Sequence, residues 1–203
     1  MYIRYTSYPL CILRCAIYEM CCNRFTSGIV IGMKFMSLAE QLKKHPNDYV
    51  DLALSPWQSN ILAGNHAYER GAFLEARDKY MSAWTLATHL LDQFCKAQVD
   101  HNVLRAVEHC CPAVVVAAHN LADCYLAMGK PTQACHKLCD AHELVSKLRQ
   151  HPDEGIARIA CYHLSKTRQE LLQFASHHPH FPELIVQVNS SINIHIERSV
   201  TLH

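Results

Sequence analysis

An internal repeat constrains the fold of this chain more than any other feature of its sequence. Residues 63–83 and residues 121–141 align without a gap, and small residues and glycines recur at the same places. The aligned pairs are Gly64 with Ala122, Gly71 with Gly129, Phe73 with Pro131, Ala76 with Ala134, Tyr80 with Leu138, and Ala83 with Ala141. A recurrence of this kind indicates two copies of one supersecondary unit.

The residue types at these places are those that two packed antiparallel helices require. Glycine after a helix adopts the left-handed backbone more readily than other residues, so Gly71 and Gly129 predict tight turns. Small residues at Gly64 and Ala76 let two helix axes approach, and Tyr80 fills the seam beside them. The repeat therefore predicts two helical hairpins.

Apolar residues recur at helical spacing from residue 37 onward, which predicts an all-α chain. Ser55 before Pro56 and Cys111 before Pro112 are interpreted as helix starts, because proline suits the first helical position and disrupts an interior one. The predicted helices are Ser37 to Lys44, Pro56 to Gly71, Ala72 to Lys96, Gln98 to Cys110, Pro112 to Gly129, Lys130 to Arg149, Glu154 to Ser176 and Glu183 to Arg198.

The pattern of the last segment, Glu183 to Arg198, is compatible with a strand and with a helix. Ile192, Ile194 and Ile196 alternate as in a strand, whereas Leu184, Val188 and Ile192 recur every four residues as in a helix. No turn with a pairing strand follows, so we expect a helix here.

The repeated units resemble the tetratricopeptide repeat from Trp57 to Arg149, with a third, degenerate helix pair from Glu154 to Arg198. The resemblance implies antiparallel hairpins packed into a short right-handed array, and we expect a bacterial member of that family. Equivalent residues are 58 positions apart, about 24 more than in a standard repeat. Whether the extra residues lengthen helices or form another one stays open.

Proteins of the tetratricopeptide type bind other proteins or peptides in a groove lined by the first helix of each hairpin. Carried over by position, the resemblance implies a protein-binding groove whose residues are Gln58, Ile61, Asn65, Tyr68, Glu69, His119, Asp123, Leu126 and Ala127. Glu69 and Asp123 disfavour clamping of a terminal carboxylate, which needs cations. The same residues could instead form a solvated face or a dock for the C-terminal helix.

A different class of function is suggested by Cys135, Cys139 and His142, whose spacing places them on one helix face. Three such ligands could serve a small metal- or thiol-dependent enzyme or sensor. Cysteines among small apolar residues also act as ordinary packing residues. No nucleophile, phosphate-loop or zinc-protease motif is present. We therefore expect a binding protein without a catalytic residue, metal or cofactor.

The first 35 residues have a different texture, with four of the 11 cysteines and no clear periodicity. We expect residues 1–35 to be a poorly structured extension and residues 36–203 to form one helical-repeat domain, with the functional chain beginning near Met33 or Met36. A transit peptide is the competing interpretation.

The charge balance and the apolar runs limit the partners that we expect. The 19 Lys and Arg residues nearly balance 18 Asp and Glu residues, so a nucleic-acid surface is not expected. No apolar run reaches the roughly 18 residues of a membrane span, and the cysteine pattern predicts no disulfide framework. We expect a cytoplasmic protein that binds a protein or peptide, with a homodimer as a further possibility.

Overall fold

The computed structural model describes residues 46–200, with side chains from residue 49 to residue 193. All regular structure in this part is helical, which confirms the all-α prediction. The helices are α1 Pro46–Glu69, α2 Phe73–Lys96, α3 His101–Ala127, α4 Pro131–Leu148, α5 Glu154–His177 and α6 Pro182–Val200. The last segment is therefore a helix and not a strand. The predicted helix at Ser37 to Lys44 and the 35/36 boundary lie outside the described residues.

The two predicted glycine turns are built alike. Gly71 and Gly129 have φ angles of +75° and +69°, the left-handed region in which glycine carries no steric penalty. The N–H of Ala72 donates to the Ala67 carbonyl at 2.9 Å, and Gly71 donates to Tyr68 at 3.0 Å. The second turn repeats both bonds 58 residues later. These bonds satisfy the last carbonyls of α1 and α3 as a Schellman motif does.

Two prolines lie inside helices, so the predicted helix starts at Ser55 and Cys111 are wrong. Pro56 is part of α1 and Pro112 is part of α3. An interior proline removes one hydrogen bond, and here the buried neighbours Cys110, Cys111 and Ala113 keep the helix packed on both sides of Pro112. Residues 101–110 and 112–127 are therefore one helix, and the extra residues of the repeat lengthen α2 to 24 residues and α3 to 27.

Aspartates begin two of the helices. The Asp100 carboxylate accepts the Val103 N–H at 2.8 Å at the start of α3. The Asp153 carboxylate accepts the Ile156 N–H at 3.1 Å at the start of α5. Both satisfy amides that a helix N-terminus otherwise leaves unpaired.

The odd-numbered helices lie side by side, with α3 between α1 and α5. Leu104 contacts Gly155 near the start of α3 and α5, and Asp123 lies close to Glu170 near their ends, so these two helices are parallel. Two of the even-numbered helices, α4 and α6, also lie side by side. Cys135 contacts the Leu184 carbonyl and Cys139 lies beside Ser191, so α4 and α6 are also parallel.

The core is centred on α3, whose buried face contacts α1, α2, α4 and α5. Helix α3 is also long and apolar enough to cross a membrane by length and composition alone, although 61% of its apolar window is buried among the other helices. The fully buried Tyr80 ring of α2 covers Gly64 of α1, and its hydroxyl donates to Asn65 Oδ1 at 2.8 Å. A second cluster joins α4, α5 and α6.

Candidate functional site

The least buried strip of the central helix α3 is a row of residues three or four positions apart. It is the part of the core helix that no other described helix covers completely. Its members are Arg105, Glu108, Pro112, Val116, His119, Asp123 and Ala127. A partly exposed row on an otherwise buried helix is where a further protein segment could contact the fold.

The predicted groove residues of α1 have different environments. Ile61 is buried in the core at 5% exposure, so its assignment to the groove is wrong. Asn65 is occupied by the Tyr80 hydroxyl. Tyr68 packs edge-on against the Phe73 ring, with 5.3 Å between centroids. Asn65 and Tyr68 thereby link α1 to α2.

Gln58 and Glu69 remain accessible on α1. Gln58 is partly exposed and Glu69 is exposed, with its Oε2 3.9 Å from Nδ1 of His66. Both side chains can still contact a partner. Gln58 lies in the middle of α1, and Glu69 is its last residue.

The predicted residues of α3 fall into two groups. His119 and Asp123 lie on the partly exposed strip, whereas Leu126 packs against the apolar cluster of α4, α5 and α6. Asp123 adjoins Glu170 of α5. Burial is the main cause that raises the pKa of the Glu170 carboxyl, and the negative charge of Asp123 raises it further. The strip of α3 therefore borders α5.

Helix α5 contributes residues to this face that the sequence did not identify. Tyr162 is 60% exposed, and Lys166 Nζ lies 4.5 Å from the centre of its ring. Tyr162, Lys166 and Glu170 are four residues apart and share one row of the helix. Because Glu170 lies close to Asp123, this row borders the strip of α3. The degenerate third repeat has no glycine turn to set its register, so no sequence signal singled out Tyr162.

Two histidines near this face have pKa values well below that of a free imidazole. Desolvation lowers the pKa of His119 from 6.5 to about 4. Desolvation and the nearby Lys166 lower the pKa of His163 to about 4. Both imidazoles are therefore neutral in the folded protein near neutral pH.

Acidification should destabilise the protein through these two histidines. Below about pH 6.5 the unfolded chain binds their protons and the folded chain does not, so the free energy of unfolding falls with pH until about pH 4. Urea unfolding at pH 7 and pH 5 measures this loss. The variant with His119→Gln and His163→Gln should lose less stability between these pH values, and an unchanged pH dependence would contradict the assignment.

The three residues of the alternative site are buried and contact different helices. The thiols of Cys135 and Cys139 belong to the cluster with α6, whereas His142 Nδ1 donates to Thr167 Oγ1 of α5 at 2.9 Å. The Thr167 hydroxyl itself donates to the Leu164 carbonyl, which assigns the proton to His142 Nδ1. Among the side chains that the structure describes, from residue 49 to residue 193, no group of three or more His, Cys, Asp or Glu is arranged to hold a metal ion.

The pKa is raised for most of the described thiols, whereas the hydrogen bond with Cys135 lowers the pKa of Cys139. The hydrogen bond to Cys139 and burial raise the pKa of Cys135. Burial raises the pKa of Cys95 and that of Cys124 to about 11. A thiol must lose its proton to attack a substrate or bind a metal, so the raised pKa values favour the packing interpretation of Cys95, Cys124 and Cys135.

Similarity to known proteins places the chain in a family without naming its activity. No curated protein and no solved structure matches the chain. The match to a family covers residues 55–203, which includes most of α1 and all of α2 to α6. The chain belongs to the family described as protein of unknown function DUF2753.

Proposed function

We propose that this protein is an interaction module that binds a segment of another protein along the face of α1, α3 and α5. In this proposal the helices are hairpins of the tetratricopeptide type in a short right-handed array. The equivalent turns at Gly71 and Gly129 and the parallel order of alternate helices support that comparison.

The observation that carries the proposal is the partly exposed strip of α3 beside the row of α5. Val116 and Tyr162 offer apolar and aromatic surface, and His119 and Asp123 offer polar groups. A mixture of an aromatic anchor with polar surroundings is typical of protein interfaces. We define the strip of α3 together with Tyr162, Lys166 and Glu170 as the α3–α5 face.

The proposal includes binding without catalysis in a reducing, cytoplasmic setting. The raised pKa values of Cys95, Cys124 and Cys135 support packing roles for these three thiols. The seven cysteines of the described part are free thiols, the state that the cytosol maintains.

Photo-crosslinking in the source cells tests the binding face. A benzoylphenylalanine at Val116 should form adducts with a small set of proteins, whereas the same residue at Thr85, exposed on α2, should not. Adding Tyr162→Ala to the Val116 probe should weaken the captured complex by about tenfold or more, because aromatic anchors carry much of the binding energy. The same adducts from position 85, or no adduct from position 116, would show that the partner does not bind this face.

A further inference from the structure

Helix α6 covers two thiols of α4. Cys135 and Cys139 are four residues apart and both buried, so they lie on one side of α4. The Cys135 Sγ atom lies 4.0 Å from the Leu184 carbonyl oxygen, near the start of α6. The Cys139 thiol lies beside Ser191, further along the same helix. The two thiols therefore become accessible from this side only when α6 leaves α4.

Ser191 weakens the contact between α6 and α4. Its side chain is buried next to Cys139, but no atom of the described residues forms a hydrogen bond of ordinary geometry with its hydroxyl. A buried polar group without a partner costs free energy, because it has lost its hydrogen bonds to water. Opening of α6 returns the hydroxyl to water and recovers this cost.

The position of α6 also favours its opening. It is the last helix of the described part and packs on α4 and α5, while Val186, Asn189 and Ser190 leave its other side exposed. Besides Ser191, its described buried side chains are Leu184, Val188 and Ile192. A segment with few buried apolar contacts opens locally at a lower free energy than the whole domain unfolds.

We propose that α6 opens as a unit and that Cys139 is then a modification site for soft electrophiles of the α,β-unsaturated carbonyl class. The Cys139 thiol gives its proton to water, and the thiolate attacks the β-carbon of the electrophile. A sulfur–carbon bond forms as the carbon–carbon π bond breaks, and the α-carbon takes a proton from water.

The neighbouring thiol makes Cys139 the one that reacts first. The hydrogen bond with Cys135 lowers the pKa of Cys139, whereas the pKa of Cys135 is raised. Both residues belong to α4, so this hydrogen bond does not depend on α6. The thiolate is the reactive form of a cysteine, and the proposal therefore assigns the adduct to Cys139.

The adduct prevents α6 from returning to α4. Cys139 is only 4% exposed when α6 is in place, so the added group has no room in the closed structure. Inserting extra atoms into a packed core is destabilising. Modification thus converts a transient opening into a lasting one, which makes α6 an electrophile-sensitive switch.

The first test treats the full-length chain with N-ethylmaleimide and follows each cysteine by peptide mapping. Cys139 should react at least about tenfold faster than Cys110 and Cys111 in the core of α3, because local opening needs less free energy than global unfolding. Its rate should also rise less steeply with urea, since less surface is exposed. Equal rates and urea dependences at Cys139 and Cys110 overturn the proposal. A rate at Cys139 equal to that of the exposed Cys161 also overturns it, because α6 would then give no protection.

The second test compares two neighbouring serines of α6. Ser191→Ala removes the unpaired buried hydroxyl and should slow modification of Cys139 about fivefold or more. Ser190→Ala makes the same change on the exposed side of the helix. Because only helix propensity changes there, it should slow the reaction about twofold or less. Equal slowing by both variants overturns the role assigned to the Ser191 hydroxyl.

The third test measures the switch by amide hydrogen exchange. In the modified parent chain the amides of α6 should exchange at least about tenfold faster than in the untreated chain. In the Cys139→Ala variant, where Cys161 still reacts, the same reagent should leave their exchange unchanged. Unaltered protection of α6 in the modified parent chain overturns the switch. None of these results bears on binding at the α3–α5 face, whose test uses Val116 and Tyr162.

Discussion

Replacing Gly64 by alanine is expected to lower the free energy of unfolding by about 2 kcal/mol, the usual cost of overpacking a core. A β-carbon at this place would meet the Cδ1, Cε1 and Cζ atoms of Tyr80 at less than the normal contact distance. The ring cannot easily give way, because it is fully buried and its hydroxyl is bonded to Asn65. Urea denaturation of the variant and the parent chain measures the difference.

The second repeat supplies the control for this prediction. It carries Ala122 and Leu138 where the first repeat carries Gly64 and Tyr80. The bulkier Tyr80 is therefore matched with glycine, and the smaller Leu138 is matched with alanine. In a Tyr80→Leu background, Gly64→Ala should cost little or should stabilise, since alanine favours a helix over glycine by about 1 kcal/mol. Equal destabilisation by Gly64→Ala in both backgrounds would show that the Tyr80 ring does not impose the glycine.

Replacing Pro112 by alanine should raise the free energy of unfolding by about 2 kcal/mol. An interior proline costs a helix about 3 kcal/mol relative to alanine, and proline returns up to about 1 kcal/mol by restricting the unfolded chain. Pro112 lies in the middle of the 27-residue helix α3 and is partly exposed, so alanine fits there without displacing the core. Urea denaturation again gives the difference.

Pro152 is the matched control for Pro112. It is exposed in the connection between α4 and α5, so Pro152→Ala should change stability by about 1 kcal/mol or less, towards destabilisation. Destabilisation by Pro112→Ala would mean that the packing around α3 depends on the shape that the proline imposes on the helix.

The hairpin turns could be predicted from the sequence because their cause is local. A left-handed residue after a helix favours glycine wherever it occurs, and Gly71 and Gly129 both adopt that conformation. The helical spacing of apolar residues likewise predicted the type and approximate bounds of α2, α4, α5 and α6.

The errors concern features that distant parts of the chain decide. Pro56 and Pro112 favour a helix start in isolation, but burial of the flanking residues keeps α1 and α3 continuous. The resemblance implied a groove that includes Ile61 and Asn65, whereas Ile61 is buried in the core and Asn65 accepts a hydrogen bond from Tyr80. The alignment had no register for α5, so Tyr162 was missed.

The sequence by itself determined that this protein is all-α and that two tight glycine turns join long helices. These properties follow from periodicity and from backbone preferences within a few residues. Only the tertiary structure decided which residues remain accessible. His119 and Asp123 stay partly exposed on α3, while Cys135, Cys139 and His142 are enclosed by α5 and α6. Burial depends on which helices pack together, and residues far apart in the chain decide that packing.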